Sequence, residues 1–471
     1  MEIINARSPK FVSISNSAIS YATCEIGIFS GTIPASVPFD YTLRKNTIGS
    51  NTQVSFEISE LIRDFLEVTF DGDYETSAES NTACKWVNVF LKAYDVNGAQ
   101  VGTTDSRTYL ALDGYGYFEE GSDFTMEDSA LFNSKGDIFL PAFGDSQIAI
   151  YTENNPVVKL INSSGGIART YTFTQSNSST EQIKYVSLFP ELITNLGFDT
   201  ATDWSIASTD AIENGILYMN GANFSRIPTT FTAYIGVTYI IRFEVLERAV
   251  GGIAFFKTGG IRVTDYINTT GKYSFQFTQT STGQVSFFSN NGFVGAIDNV
   301  SVVETTSVAK VNVTNDIQSV PQIVNVKQVD ECKYEPHKIT FINKNGVLED
   351  MYFFKTVTNS MATKRESYNA NIINPNLTYS INEHNKREFN ITANSSTKLS
   401  SGFLNESTNE RFKQLLLSEK VWITRTFEND ELVLPLNIKT SSIAYKTSLN
   451  NRLVEYTIEF IDSYNAINNI R

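Results

Sequence analysis

Thr238-Tyr-Ile-Ile-Arg-Phe-Glu-Val245 and Lys272-Tyr-Ser-Phe-Gln-Phe-Thr278 alternate in polarity, the pattern of strands with one buried and one solvated face. Around them, Gly pairs at 251-252 and 259-260 punctuate the chain. Further out, Asn195-Leu-Gly-Phe-Asp199 with Asp203-Trp204-Ser205 opens the stretch, and Gly295-Ala-Ile-Asp298-Asn-Val-Ser-Val302 closes it. Residues 195 to 304 therefore read as a complete small β-domain set inside a different protein.

The opening motif, the Gly-bounded strands and the closing Ile-Asp-Asn-Val-Ser-Val together resemble the carbohydrate-binding-module type of jelly roll. That resemblance implies a binding accessory. Trp204 is a candidate sugar-stacking platform, since pyranose C–H faces pair with aromatic π-faces; in modules of this kind, however, a Trp just after the first strand commonly belongs to the core. Tyr218, Phe224, Tyr234, Tyr266 and Phe293 are the alternative platforms. Asp298 starts the last strand, where related jelly rolls use an acidic side chain to hold a structural calcium; the competing reading is an Asp that caps a turn.

Composition bounds the host. At 471 residues the chain exceeds one core, and 12% aromatic with 19% charged residues is a β-rich globular profile. A net charge of −14 repels phosphate and anionic lipid, so neither nucleic acid nor membrane insertion is expected. Cys24, Cys84 and Cys332 lie far apart without a CxxC pair, which signals neither a disulfide framework nor a zinc site. The N-terminal Met-Glu-Ile-Ile-Asn-Ala-Arg lacks the basic and apolar regions of an export signal, so synthesis in a host cytoplasm is expected.

The fold class expected is all-β, with several sandwich or barrel domains, a few short helices and the jelly roll inserted in the middle. The segments are 1–150, an N-terminal β-domain; 151–190 plus 307–332, the host strands flanking the insert; 191–306, the insert; and 333–471, a C-terminal β-domain. Asp95-Val-Asn-Gly98 and Lys344-Asn-Gly346 signal hairpins. Ser59 is expected to cap a helix whose face carries Leu61, Ile62, Phe65 and Leu66. Ser407-Thr-Asn-Glu410 reads as a capping box, followed by a stripe of Phe412, Leu415 and Leu416. Strands 182–187 and 309–314 are expected to be neighbours, so that the insert leaves from a hairpin loop.

Strand-hairpin-helix order ending in Tyr456-Thr-Ile-Glu-Phe460, together with Glu331-Cys-Lys-Tyr-Glu-Pro336, Leu415-Leu-Leu-Ser-Glu-Lys-Val-Trp422, Lys439-Thr-Ser-Ser442, Tyr445-Lys-Thr-Ser-Leu449 and the N-terminal Leu43-Arg-Lys-Asn-Thr-Ile-Gly-Ser50, resembles tailed-bacteriophage distal-tail and baseplate structural proteins. The resemblance implies a virion component, not an enzyme, whose partners are other tail proteins, further copies in a ring and host-surface glycan. The competing classes are a glycan depolymerase, a receptor-binding fibre and a head-decoration protein. Only two histidines, His337 and His384, are present, and no GxSxG or phosphate loop occurs. Heptads and β-helix repeats, expected of a fibre, are missing as well.

Overall fold

The computed structural model describes residues 2–34, 36, 38–72, 84–121, 129–141, 144–163, 165–188, 192–193, 198, 203–221, 225–229, 231–304, 308–317, 320–330, 333–427, 430–444 and 453–467. The fold is all-β, about 55% strand, with two short α-helices among the described residues.

The N-terminal sheet runs in the order Ile3–Asn5, Gln100–Leu112, Cys84–Tyr94, Tyr21–Phe29, Tyr41–Asn46, its first pair parallel. In Cys84–Tyr94 the run Cys-Lys-Trp-Val-Asn-Val-Phe-Leu is apolar on both faces because two cores meet there. Cys84 and Trp86 face one core, Val87, Val89 and Leu91 the other. The Asp95 to Gly98 turn forms as expected, with Gly98 at φ +82°. Helix α1 (Ser59–Arg63) buries Ile62 against the second core with Leu61 at its margin; Phe65 and Leu66, expected on the same helical face, lie past its end and pack on that core from there. Ser59 is its first helical residue and not its cap; the hydroxyl instead donates to Glu57.

A second sheet runs Ile167–Thr172, Val157–Asn162, Val308–Thr314, Gln322–Val329, Ile138–Pro141. Ile138–Pro141 pairs in parallel with Gln322–Val329, so residues near 138 belong with the host strands and not with the segment ending at 150. The expected neighbour relation across the insert is replaced by another. Ile183–Ser187 pairs with Gln147–Tyr151, and Val308–Thr314 lies between Val157–Asn162 and Gln322–Val329. Both strands flank the insert in sequence, but their apolar positions are satisfied by different partners.

The third sheet runs Leu348–Phe353, His337–Ile342, Val421–Phe427, Asp430–Ile438, Thr457–Asp462, Lys386–Ser400, Val357–Asn369. It shares one core with the second sheet: Val158, Leu160, Val311 and Val324 pack in the same cluster as Ile339, Phe353, Leu436 and Phe460. A boundary at 333 thus separates sequence segments and not cores. In the last strands Val454, Tyr456, Ile458 and Phe460 are buried together, as their alternation implies. The connection through Leu449-Asn-Asn451 lies outside the described residues.

Helix α2 (Asn409–Leu417) covers this core through Phe412, which meets Phe353 and Tyr456 edge to face at 6.2 and 4.7 Å, and through Leu415. Leu416 is only partly buried. The capping box is not formed. Ser407 sits inside a 3-10 turn, Glu406–Thr408, whose cap is Asn405; the Asn405 side chain accepts from the Ser407 amide at 3.0 Å. Glu410 turns away to accept from the Tyr117 hydroxyl at 2.7 Å.

The insert is a separate β-sandwich with its own core, drawn from residues 193 to 302. Two long bent strands, Thr238–Lys257 and Ser286–Glu304, pair along their length through several register shifts. The Gly251-Gly252 pair is not a turn but part of the first of them. Gly251 has φ +73°, and a Cβ there would lie 2.6 Å from the Asn290 carbonyl oxygen, so the strand bends only with glycine at this point. At the base, the Leu192 amide donates to the Val302 carbonyl at 2.9 Å, which brings the module's two ends together.

Candidate functional site

The module's strands decide which aromatic rings can meet a ligand, because successive side chains on a strand point to opposite faces. Phe293, a candidate platform, is interior, and Trp204 occupies the core position that modules of this kind commonly give it. Trp204 packs 4.9 Å from Phe198 and 6.4 Å from Phe287, and Phe293 is fully buried. Neither offers a face to a sugar. Tyr218 is half-buried between Ala211 and Ala296 as cross-strand partners. Tyr234 is exposed on the loop leading into Thr238–Lys257, where its amide donates to the Tyr239 hydroxyl oxygen at 2.9 Å. Phe224 lies outside the described residues.

Tyr266 is half-buried with the Arg262 guanidinium 5.2 Å from its ring centroid. It sits over Gly252, where an added Cβ would stand 3.2 Å from that of Tyr266. Two rings that the sequence reading passed over continue the same face. Phe256 is the cross-strand partner of Arg262, and Phe288 that of Ala254. The Phe256 and Phe288 rings meet edge to face at 5.8 Å, both half-exposed. Their sequence neighbours Phe255 and Phe287 point inward and meet at 5.2 Å in the core. The available signal was the pair of Phe-Phe doublets: in a strand the two rings of a doublet lie on opposite faces, so only one of each can enter the module's core.

Tyr266, Arg262, Phe256 and Phe288 thus form a strip on the outer face, with Gly252 and Ala254 beneath. Arg262 is also held by Asp265 at 3.2 Å. Ring faces beside a guanidinium and a carboxylate are suited to a ligand that presents C–H faces and hydroxyl or carboxylate groups at its edge. Beneath the other flank of the module, Arg226 and Asp210 form a fully buried two-pronged pair at 2.7 and 3.0 Å, and Arg226 also reaches Ser289 at 3.1 Å. That pair is consumed in holding Ala207 and Asn220, whose amides donate to Asp210.

Asp298 caps a turn. Its carboxylate accepts from the following Asn299 amide at 2.7 Å, while Asn299 donates to Glu244, on the strand opposite, at 3.1 Å. Among the described residues no group of three or more His, Cys, Asp or Glu converges to hold a metal ion. His337 begins its strand half-buried, with its pKa lowered by burial, and His384 lies exposed elsewhere. No helix among the described residues is long and apolar enough to cross a membrane.

No family model matches this chain. No curated protein matches it either. Among solved structures, it aligns with the M60 catalytic domain carrying two CBM51 domains of Clostridium perfringens ZmpB at 7% identity and TM-score 0.19, over 96% of this chain and 52% of that one. It aligns with Bacteroides ovatus mixed-linkage glucan utilisation protein SGBP-B at 8% identity and TM-score 0.13, over 64% and 73%. The chain spans about half the length of the first of these. At such TM-scores the alignments carry no argument about this protein's activity or ligand.

Proposed function

We propose that this chain is a structural component of a bacteriophage virion, part of its tail or baseplate, whose inserted module binds host-surface glycan. One observation carries the reading: the division of labour between scaffold and appendage. In the scaffold, several buried or half-buried charged side chains are used in structural bonds. Glu349 and Arg411 pair in the interior, Lys338 is held by Asp145, and Glu410 by Tyr117. In the module, by contrast, the core is self-contained while an aromatic and arginine strip is left on the outside. A rigid body presenting a separately folded module with a shallow aromatic face fits reversible surface recognition better than catalysis. Other tail proteins and further copies in a ring are its partners in this reading, and the virion its location.

Immunogold electron microscopy of intact particles with antibody against residues 195 to 304 tests it. Label at the tail tip supports the proposal, label on the head moves the protein to decoration, and absence of label from particles removes the virion assignment.

A further inference from the structure

The outermost strands of the C-terminal sheet, Val357–Asn369 and Lys386–Ser400, leave the body as a two-stranded ribbon. Only the base of the second strand, Ser396 to Ser400, is paired on its other side, with Thr457–Asp462. Thr358 to Asn369 and Lys386 to Ile391 are exposed on both faces. An isolated two-stranded ribbon is marginally stable in water. This one also carries exposed apolar side chains at its far end, Ile373, Leu377, Tyr379 and Ile381, with Leu377 at 87% and Ile381 at 90% exposure, and Met361 and Phe389 along its strands, Phe389 edge to face with Tyr368. Scattered single residues of this kind need no explanation, but their concentration at one projecting tip marks an interaction surface.

We propose that this ribbon is an arm that docks on the body of a second copy of the same chain. Charge identifies the occupant. The exposed part of the arm, 358 to 391, holds Lys364, Arg365, Lys386 and Arg387 against Glu366, Glu383 and Glu388, net +1, within a chain of net −14; the remainder therefore carries −15. A cationic arm on an anionic body is complementary to another copy of itself, in a head-to-tail contact that closes into a ring where the rotation permits. A lipid surface fits less well. The tip is pre-shaped by polar turns, with the Asn374 side chain accepting from the amides of Asn376 and Thr378 at 3.0 and 3.1 Å, and hydrocarbon would strip those groups of water. This inference names the contact behind the proposed ring and does not depend on the tail assignment.

Sedimentation velocity of the full-length chain over a range of concentrations, with and without Leu377→Glu/Ile381→Glu, tests the arm. Both residues are exposed, so the variant is expected to keep the parent's melting temperature. The proposal expects concentration-dependent self-association that weakens as salt rises and that the double variant weakens by about tenfold or more, the scale of one lost interface anchor. Self-association unchanged in the variant would overturn the arm while leaving a ring through another surface intact. A chain that stays monomeric throughout would overturn both, and co-flotation of the monomer with phosphatidylserine and phosphatidylcholine vesicles would assign the ribbon to a membrane instead.

Discussion

The Arg411 Nε donates to Glu349 Oε1 at 2.6 Å inside the protein, joining helix α2 to the hairpin of the third sheet. The remaining Glu349 oxygen accepts from Ser134, by backbone amide and hydroxyl, and from the Asn343 side-chain Nδ2 at 2.8 Å. Arg411 also reaches the Asp137 carbonyl at 2.6 Å. A loop of the host segment, a hairpin and a helix, distant in sequence, are thereby held at one buried charge pair.

Removing one member leaves the other charged in the interior. Arg411→Met is expected to cost about 3 to 5 kcal/mol, with much of it recovered in the Glu349→Gln/Arg411→Met double variant. Chemical denaturation of the three proteins measures the coupling; equal losses in single and double variants would show that the pair is not the source.

At helix α2 and the 3-10 turn that leads into it, the stripe and the cap separate cleanly. Leu415→Ala is expected to cost about 2 to 5 kcal/mol because its side chain is fully buried. Asn405→Ala is expected to cost about 0.5 to 2 kcal/mol, whereas Ser407→Ala changes little, since Ser407 contributes its amide and not its hydroxyl to the cap. Melting temperatures of the three variants provide the ranking.

Replacing 191–305 by a short Gly/Ser bridge is expected to leave the remainder soluble and folded, because Leu192 and Val302 are already joined by a backbone bond at the base of the module. Circular dichroism and a cooperative melt report the outcome. Aggregation of the shortened chain beside a soluble module would mean that the host strands lean on the insert.

Asp137 sets a pH dependence. Burial raises its pKa, but bonds from Lys327 and Asn325 outweigh that, so the folded carboxyl titrates below its ordinary range. Its stabilising contribution is therefore complete above the unfolded carboxylate pKa of about 3.9 and is lost as the pH falls through the lower folded value. The difference in melting temperature between the wild type and Asp137→Asn should narrow between pH 7 and pH 2; a constant difference would remove the carboxylate as its cause.

For the outer strip, binding of the full-length chain to host polysaccharide is expected at roughly millimolar to micromolar Kd per module, strengthened when several copies act together. Phe288→Ala and Arg262→Ala should each weaken binding without altering the melt, and Trp204→Ala should lower the melting temperature instead. Calorimetry with isolated polysaccharide distinguishes them; unaltered affinity in both strip variants would move the ligand elsewhere on the module.

The sequence made the strand periodicity, both turn-forming Asn-Gly hairpins and the self-contained insert legible, because each is a local pattern. Pairing across the insert was not legible: Ile183–Ser187 and Val308–Thr314 have the same polar alternation, and only burial against Gln147–Tyr151 or Val157–Asn162 decides their neighbours. The capping box failed for a related reason. Asn405, two residues upstream of Ser407, competes for the same amide, and Glu410 finds Tyr117 from the other end of the chain. In the module, Trp204 and Phe293 had the right chemistry but the inward face, while the outward members of two Phe-Phe doublets were hidden by their buried twins.

The parallel pairing of Ile138–Pro141 with Gln322–Val329 also sets an order of events at the ribosome. The second sheet cannot close until residue 329 has been made, although its first strands emerge before the module does. During that interval their edges stand open, the condition in which growing chains aggregate. The module bears on the closing step. By folding on its own and drawing Leu192 to Val302, it converts a long loop into a short one and lowers the entropic cost of the final strand pairing.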